Sequence, residues 1–269
     1  MTTPLISTTE LRDRLREVTL LDVRYRTSGP AGPEEYAAGH VPGAVYVDLD
    51  TELADAPGDG GRHPLPPTDV FEAAMRRAGV RRDTPVVVYD DWQGLAAGRC
   101  WWLLRYHGHA DVRLLDGGWS AWLADDGAVD HAAPTPAPGD FTAHPGGMPV
   151  VEADRVPDVA VLVDARAPER FRGEIEPLDP VAGRIPGAVN VPTGRNLTED
   201  GRFRPADELR AIYAEVGAAP GADVAAYCGS GVTAVHDIVA MEIAGVRAAL
   251  YPGSYSGWIV DPERKVETG

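Results

Sequence analysis

The chain has 269 residues, 44% hydrophobic and 25% charged, the balance of an ordinary globular protein that folds in water. Its 25 Lys and Arg against 41 Asp and Glu leave a net charge of −16, which argues against gripping a nucleic-acid backbone. No apolar run approaches the ~18 residues of a membrane span, residues 1–10 lack the basic start and apolar centre of a leader, and two cysteines, Cys100 and Cys228, cannot staple a disulfide scaffold. The expectation is a cytoplasmic protein with free thiols, without nucleic-acid or membrane partners.

In chain order, continuous apolar runs at 20–23, 45–47, 86–89 and 112–115 predict strands buried on both faces. Between them, Thr68 reads as the N-cap of a helix ending near Gly79, and 95–107 as a helix carrying Trp101, Leu104 and Tyr106. Residues 127–150 hold five prolines and four glycines without periodicity, the composition of a semi-rigid linker. Strand runs resume at 161–164, 188–191, 224–227 and 248–251, with helical patterns near 205–216 and 232–244. Alternation of this kind predicts an α/β fold with mainly parallel sheets and helices on both faces.

The second half repeats the first. Leu21-Asp22-Val23-Arg24 is answered by Val163-Asp164-Ala165-Arg166, and Gly39-His40-Val41-Pro42-Gly43-Ala44 by Gly183-Arg184-Ile185-Pro186-Gly187-Ala188. Val86–Tyr89 is answered by Val224–Tyr227, and Gly117-Gly118-Trp119-Ser120-Ala121-Trp122 by Gly253-Ser254-Tyr255-Ser256-Gly257-Trp258. The matches keep their order at offsets between 136 and 144 residues, which indicates two copies of one domain. The boundaries read as 1–126, a linker over 127–150, and 151–269.

Ligands of such sheets sit beyond the carboxyl ends of strands. There the second copy reads Cys228-Gly229-Ser230-Gly231-Val232-Thr233 and then enters a helical pattern. Two glycines let successive N–H groups turn inward, and the helix start adds partial positive charge, so an anionic sulfur is favoured at Cys228. Cys100, inside an apolar helical run, reads as structural. The first copy has Asp90-Asp91 at the equivalent place, so it lacks a nucleophile and its carboxylates are expected to repel an anion. One active site is predicted. Ala234 stands six residues after Cys228, where a cysteine phosphatase needs arginine, which argues against phosphate chemistry. Histidines do not pair with cysteines, and no Gly-x-Gly-x-x-Gly opens the first strand–helix turn, so neither a metal nor a nucleotide cofactor is expected.

These features resemble the tandem-domain sulfurtransferases of the rhodanese superfamily along the whole chain. The loop Cys228-Gly229-Ser230-Gly231-Val232-Thr233 is similar to that of the 3-mercaptopyruvate sulfurtransferase branch; thiosulfate-specific members more often carry basic side chains after the cysteine. The resemblance implies two rhodanese-like domains, the second of them catalytic. Sulfur would pass from a small-molecule donor, 3-mercaptopyruvate or alternatively thiosulfate, through a Cys228 persulfide to a thiol or cyanide. A thioredoxin-like protein is a candidate acceptor, and a persulfide relay with little small-molecule turnover is the alternative outside enzyme catalysis. It further implies a proton relay of Ser230, His63 and Asp50 beside the nucleophile. The substrate-binding set is then Gly229, Gly231, Val232 and Thr233 of the loop, with Arg170 as a guanidinium clamp for a donor carboxylate. A second family arginine follows a Glu-Pro pair, but Glu176-Pro177 is followed here by Leu178. Arg184 and Arg172 are the candidate replacements.

Overall fold

The computed structural model describes residues 3–26 and 31–269, so the first two residues of the stretch read for a leader lie outside it. The chain divides into two compact units, one of Met1–Asp55, Pro66–Met148 and Glu199–Arg202, the other of Ala56–Leu65, Pro149–Thr198 and Phe203–Gly269.

The first unit runs β1 (Leu5–Ile6), α1 (Thr8–Arg14), β2 (Thr19–Asp22), α2 (Gly32–Ala38), β3 (Val45–Tyr46), α3 (Leu49–Glu52), α4 (Thr68–Arg77), β4 (Val86–Tyr89), α5 (Leu95–Tyr106), β5 (Val112–Leu115) and α6 (Gly118–Ala124). Its sheet has the order β1-β5-β4-β2-β3, and every ladder is parallel. All four residues of β4 are buried, which is why its sequence is an unbroken Val-Val-Val-Tyr rather than an alternation. Two details depart from the sequence reading. Thr68 is the first helical residue of α4, not its cap; Pro67, with extended ψ, ends the preceding segment and offers no side-chain acceptor. The edge strand β1 and the Ser7-capped helix α1 were not predicted, because two residues carry no period and α1 has only seven.

The second unit runs β6 (Val161–Asp164), α7 (Pro168–Phe171), β7 (Val189–Asn190), α8 (Ala206–Ala214), β8 (Val224–Tyr227), α9 (Ala234–Ile243), β9 (Ala248–Leu250) and α10 (Ser254–Trp258). Its sheet has the order β7-β6-β8-β9, again wholly parallel, with fully buried β8 beside β6. The repeat seen in sequence is a repeat in bonding. Arg24 pairs with Asp22 at 2.9 Å and donates to Gly39 O at 2.6 Å; Arg166 pairs with Asp164 at 2.7 Å and donates to Gly183 O at 2.7 Å. Tyr89 Oη accepts from Val41 N–H, as Tyr227 Oη does from Ile185 N–H. Both pairs are buried, and each ties the end of a central strand to the Gly-x-x-Pro-Gly corner of its own unit.

Residues 127–148 are an ordered strap on the first unit. Gly139 N–H bonds Arg76 O at 2.8 Å, His144 N–H bonds His107 O at 2.9 Å, and Gly147 N–H bonds Tyr106 O at 2.8 Å. The His107 ring lies buried under this strap, stacked on Phe71 at 4.8 Å. Burial lowers its pKa from 6.5 to about 4. Unfolded His107 therefore takes up a proton as pH falls through 6.5 while the folded ring stays neutral, so stability drains away between pH 6.5 and 4. The loss reaches up to about 3 kcal/mol at the lower end. Urea unfolding of wild type and His107→Phe across that range should give a visibly flatter pH slope for the variant; parallel slopes would refute the assignment.

Candidate active site

Cys228 follows the last residue of β8 and is only 1% exposed. Its Sγ accepts the Gly231 N–H at 3.2 Å, so the loop curls back on the sulfur. That curl requires glycine at 231: φ is +79°, and a Cβ would meet Pro252 O at 2.4 Å. Among the described residues the N–H groups of Ser230 and Val232 have no protein acceptor. The backbone of Cys228 is clamped from α10. Its N–H donates to Ser254 Oγ at 3.1 Å, and its carbonyl accepts from Tyr255 N–H at 3.0 Å. Ser254 sits at φ +51°, a strained position for a serine, where the first repeat has Gly118 at +56°. The hydroxyl bonded to Cys228 N–H and donated to Tyr251 O at 3.0 Å accounts for a serine there.

The first unit shows what such a loop holds. Asp90 stands at the place of Cys228, and its buried carboxylate accepts four backbone N–H bonds, from Trp92, Gly94, Ala96 and Ala97, all at 2.8–2.9 Å. Burial pushes its pKa up against the bonds that hold the ionised form. Asp90 is itself the anion of that cradle, which leaves none of those four N–H groups to offer another. Asp91 pairs instead with Arg26.

Of the predicted relay, His63 Nδ1 and Ser230 Oγ meet at 2.8 Å. Asp50 is exposed on α3 of the first unit. Val232 is buried in the loop, Thr233 is half-buried at the start of α9, and Gly229 follows the nucleophile. Arg170, on α7, is held by Glu176 at 2.7 and 3.1 Å and by Asp179 at 3.1 Å. Burial works to raise the Glu176 carboxyl, but Arg170 and the N–H groups of Leu178 and Asp179 hold it below the usual range. Burial pushes Asp179 up, opposed by Arg62 and Arg170.

The candidate replacements for the second arginine have partners of their own. Arg184 donates to Gly269 O at 2.6 Å, pairs with Glu267 at 3.7 Å and lies over the Phe171 ring. Arg172 pairs with Glu174 at 2.7 Å. The guanidinium that joins Arg170 belongs to Arg62, which bonds the same Asp179. Sequence reasoning missed Arg62, Asp179 and Ser254. The one available signal for Arg62 was its place next to His63 in a glycine-rich loop. Among the described residues no group of three or more His, Cys, Asp or Glu side chains is placed to hold a metal ion. No helix among the described residues is long and apolar enough to cross a membrane.

A rhodanese-like domain model matches the chain twice, at residues 7–125 and 152–261. The chain belongs to the rhodanese family, as a tandem of two such domains. It is a sulfurtransferase. It is 45% identical to the "Putative thiosulfate sulfurtransferase SseB" of Mycobacterium tuberculosis, over 94% of this chain and 91% of that one. It is 43% identical to the "Probable 3-mercaptopyruvate sulfurtransferase" of Pseudomonas aeruginosa, over 98% of both. The crystal structure of SseA, a 3-mercaptopyruvate sulfurtransferase of Escherichia coli, superposes with a TM-score of 0.84 at 33% identity, covering 95% of this chain and 100% of that chain.

Cys100 supplies the internal control for thiol chemistry. It is fully buried in α5, and burial pushes its thiol up, out of the range where it ionises in neutral water. Iodoacetamide on the native protein at neutral pH should label Cys228 and spare Cys100, with both labelled in denaturant. Peptide mass mapping reads the result, and native labelling of Cys100 would contradict the packing of α5.

Proposed function

We propose that the second repeat, from residue 151 onward, carries sulfur from 3-mercaptopyruvate through a persulfide on Cys228 to a thiol or cyanide, and that the first repeat, 1–126, is non-catalytic. The observation that carries this reading is the thiol itself: a sulfur at a strand end, with the loop that follows curled back to give it the Gly231 N–H. The Cys228 thiolate attacks the donor sulfur, an S–S bond forms and the donor C–S bond breaks. The electron pair departs onto carbon, which takes up a proton, so the products are pyruvate and Cys228–S–S⁻. An acceptor thiolate or cyanide then takes the outer sulfur and returns the thiolate. The loop N–H groups stabilise the persulfide anion as they would an alkoxide.

Because carbon must gain a proton, Ser230 and His63, in contact at 2.8 Å, are the groups to pass it. Thiosulfate is the second donor reading, supported by the name of the SseB relative. It releases sulfite without needing that proton. A thioredoxin-like protein fits as a physiological thiol acceptor in the cytoplasm.

Cys228→Ser should lose all sulfur transfer while keeping its fold, since oxygen does not store the extra sulfur. Mass spectrometry after incubation with either donor should find one added sulfur on Cys228 of the wild type. Turnover by Cys228→Ser would discard the persulfide. Ser230→Ala should lower kcat with mercaptopyruvate by about a hundredfold, the usual contribution of a general acid–base group, and spare thiosulfate. Equal loss with both donors would leave Ser230 a loop-shaping residue only.

A further inference from the structure

We propose that Arg62 is a specificity-determining residue for the sulfur donor, forming with Arg170 a two-guanidinium site that receives the donor's anionic group beside Cys228. This rests on the sulfur-transfer reading above and adds to it the side chains that select the donor.

Arg62 reaches the loop through a tight glycine turn. Gly58 and Gly61 exchange both backbone bonds at 2.9 and 3.0 Å. Gly61 has φ +98°, and a Cβ there would meet Gly253 O and Ser256 Oγ at 2.8 Å, so the turn lies flat on the backbone before α10. The Arg62 N–H is anchored on Ser256 Oγ at 3.1 Å. From this anchor the side chain places Nη1 on Asp179 and Nη2 over Gly229. A Cβ built on Gly229 would stand 2.7 Å from Arg62 Nη2 and 3.4 and 3.5 Å from the Arg170 Nη atoms. Two guanidinium groups therefore converge on the peptide next to the nucleophile.

A counterion role for Asp179 does not account for this arrangement. Arg170 already bonds Asp179 at 3.1 Å, and one carboxylate does not need two guanidiniums. Glu176 and Asp179 consume Nε and Nη2 of Arg170 and Nη1 of Arg62. Arg62 Nη2 and Arg170 Nη1 take neither carboxylate, and both stand beside Gly229, together with Arg170 Nη2. The two carboxylates are 2–3% exposed, whereas Arg62 and Arg170 keep 29% and 17%. Acceptors are buried, and donors reach solvent. Asp179 acts as a positioning residue that fixes the spacing of the two forks. On a chain of net charge −16, a small anion has little reason to approach except at such a local pair. The ligand chemistry is a compact oxyanion with at least two oxygens, the carboxylate of a 2-oxo thiol acid or the sulfonate end of thiosulfate.

The test compares two alkylating agents that differ only in charge, iodoacetate and iodoacetamide, with modification mapped to Cys228. No sulfur is transferred in this assay. A failure of the sulfur-transfer reading shows in the Cys228→Ser assay, and a failure of this one shows in the rate ratio. Arg62→Met should cut the iodoacetate-to-iodoacetamide ratio at least about tenfold, as for one lost charge-assisted bond, with Arg170→Met doing the same. Arg62→Lys, which keeps charge and packing, should fall between. Protection of Cys228 by pyruvate or by sulfate, lost in Arg62→Met, distinguishes a carboxylate from a sulfonate ligand. An unchanged ratio in Arg62→Met alongside a reduced one in Arg170→Met would overturn the proposal and leave Arg62 a partner of Asp179 alone. Protection by neither anion would overturn it as well.

Discussion

A chain of alternating charges, buried at its start, runs through the second repeat. Asp164 holds Arg166, Arg166 reaches Glu176 at 3.4 Å, Glu176 grips Arg170, Arg170 touches Asp179, and Asp179 ends the series on Arg62. The series starts at the end of a central strand and finishes over the loop of the nucleophile. Arg166 also lies over Tyr255 at 4.1 Å, and Tyr255 N–H holds the Cys228 carbonyl. The strand, the corner at Gly183, α7 and α10 thus share one electrostatic framework. The innermost members, Asp164, Arg166 and Glu176, are almost fully buried, so leaving one of them unpaired would cost several kcal/mol, on the order of 3–5.

The first repeat keeps the start of that framework and lacks its end. Asp22, Arg24 and the Gly39 carbonyl repeat the bonds of Asp164, Arg166 and Gly183, and Arg24 lies over Trp119 as Arg166 lies over Tyr255. Trp119 N–H holds the Asp90 carbonyl as Tyr255 N–H holds that of Cys228. What differs is the occupant of the loop. A carboxylate bonded four times over fills its own cradle.

Much of this was legible in the sequence. Buried parallel strands write themselves as unbroken apolar runs, and a doubled pattern at a nearly constant offset shows the duplication. Cys228 was legible because a strand, two glycines and a helix start are contiguous in the chain. The cradle around Asp90 was not legible, because sequence shows its charge and not the N–H groups around it. Arg62 was invisible for a different reason: its partner Asp179 is 117 residues away, and only the folding-back of one glycine turn brings them together. The missing arginine at Leu178 pointed to Arg184 and Arg172 in the same half of the sequence, whereas the guanidinium found beside Arg170 comes from the other half.

The composition of the two compact units bears on how separable they are. Each half of the sequence lends a short segment to the unit built by the other half, residues 56–65 in one direction and 199–202 in the other. Arg202 accordingly bonds Asp125 at 3.0 Å within the first unit, while Arg62 and His63 serve the second. A fragment cut at the apparent seam would keep the nucleophile and lose the histidine and guanidinium that stand over it. The duplicated gene thus no longer encodes two interchangeable modules. Recombination or truncation at its midpoint would yield halves that each lack a segment of their own unit.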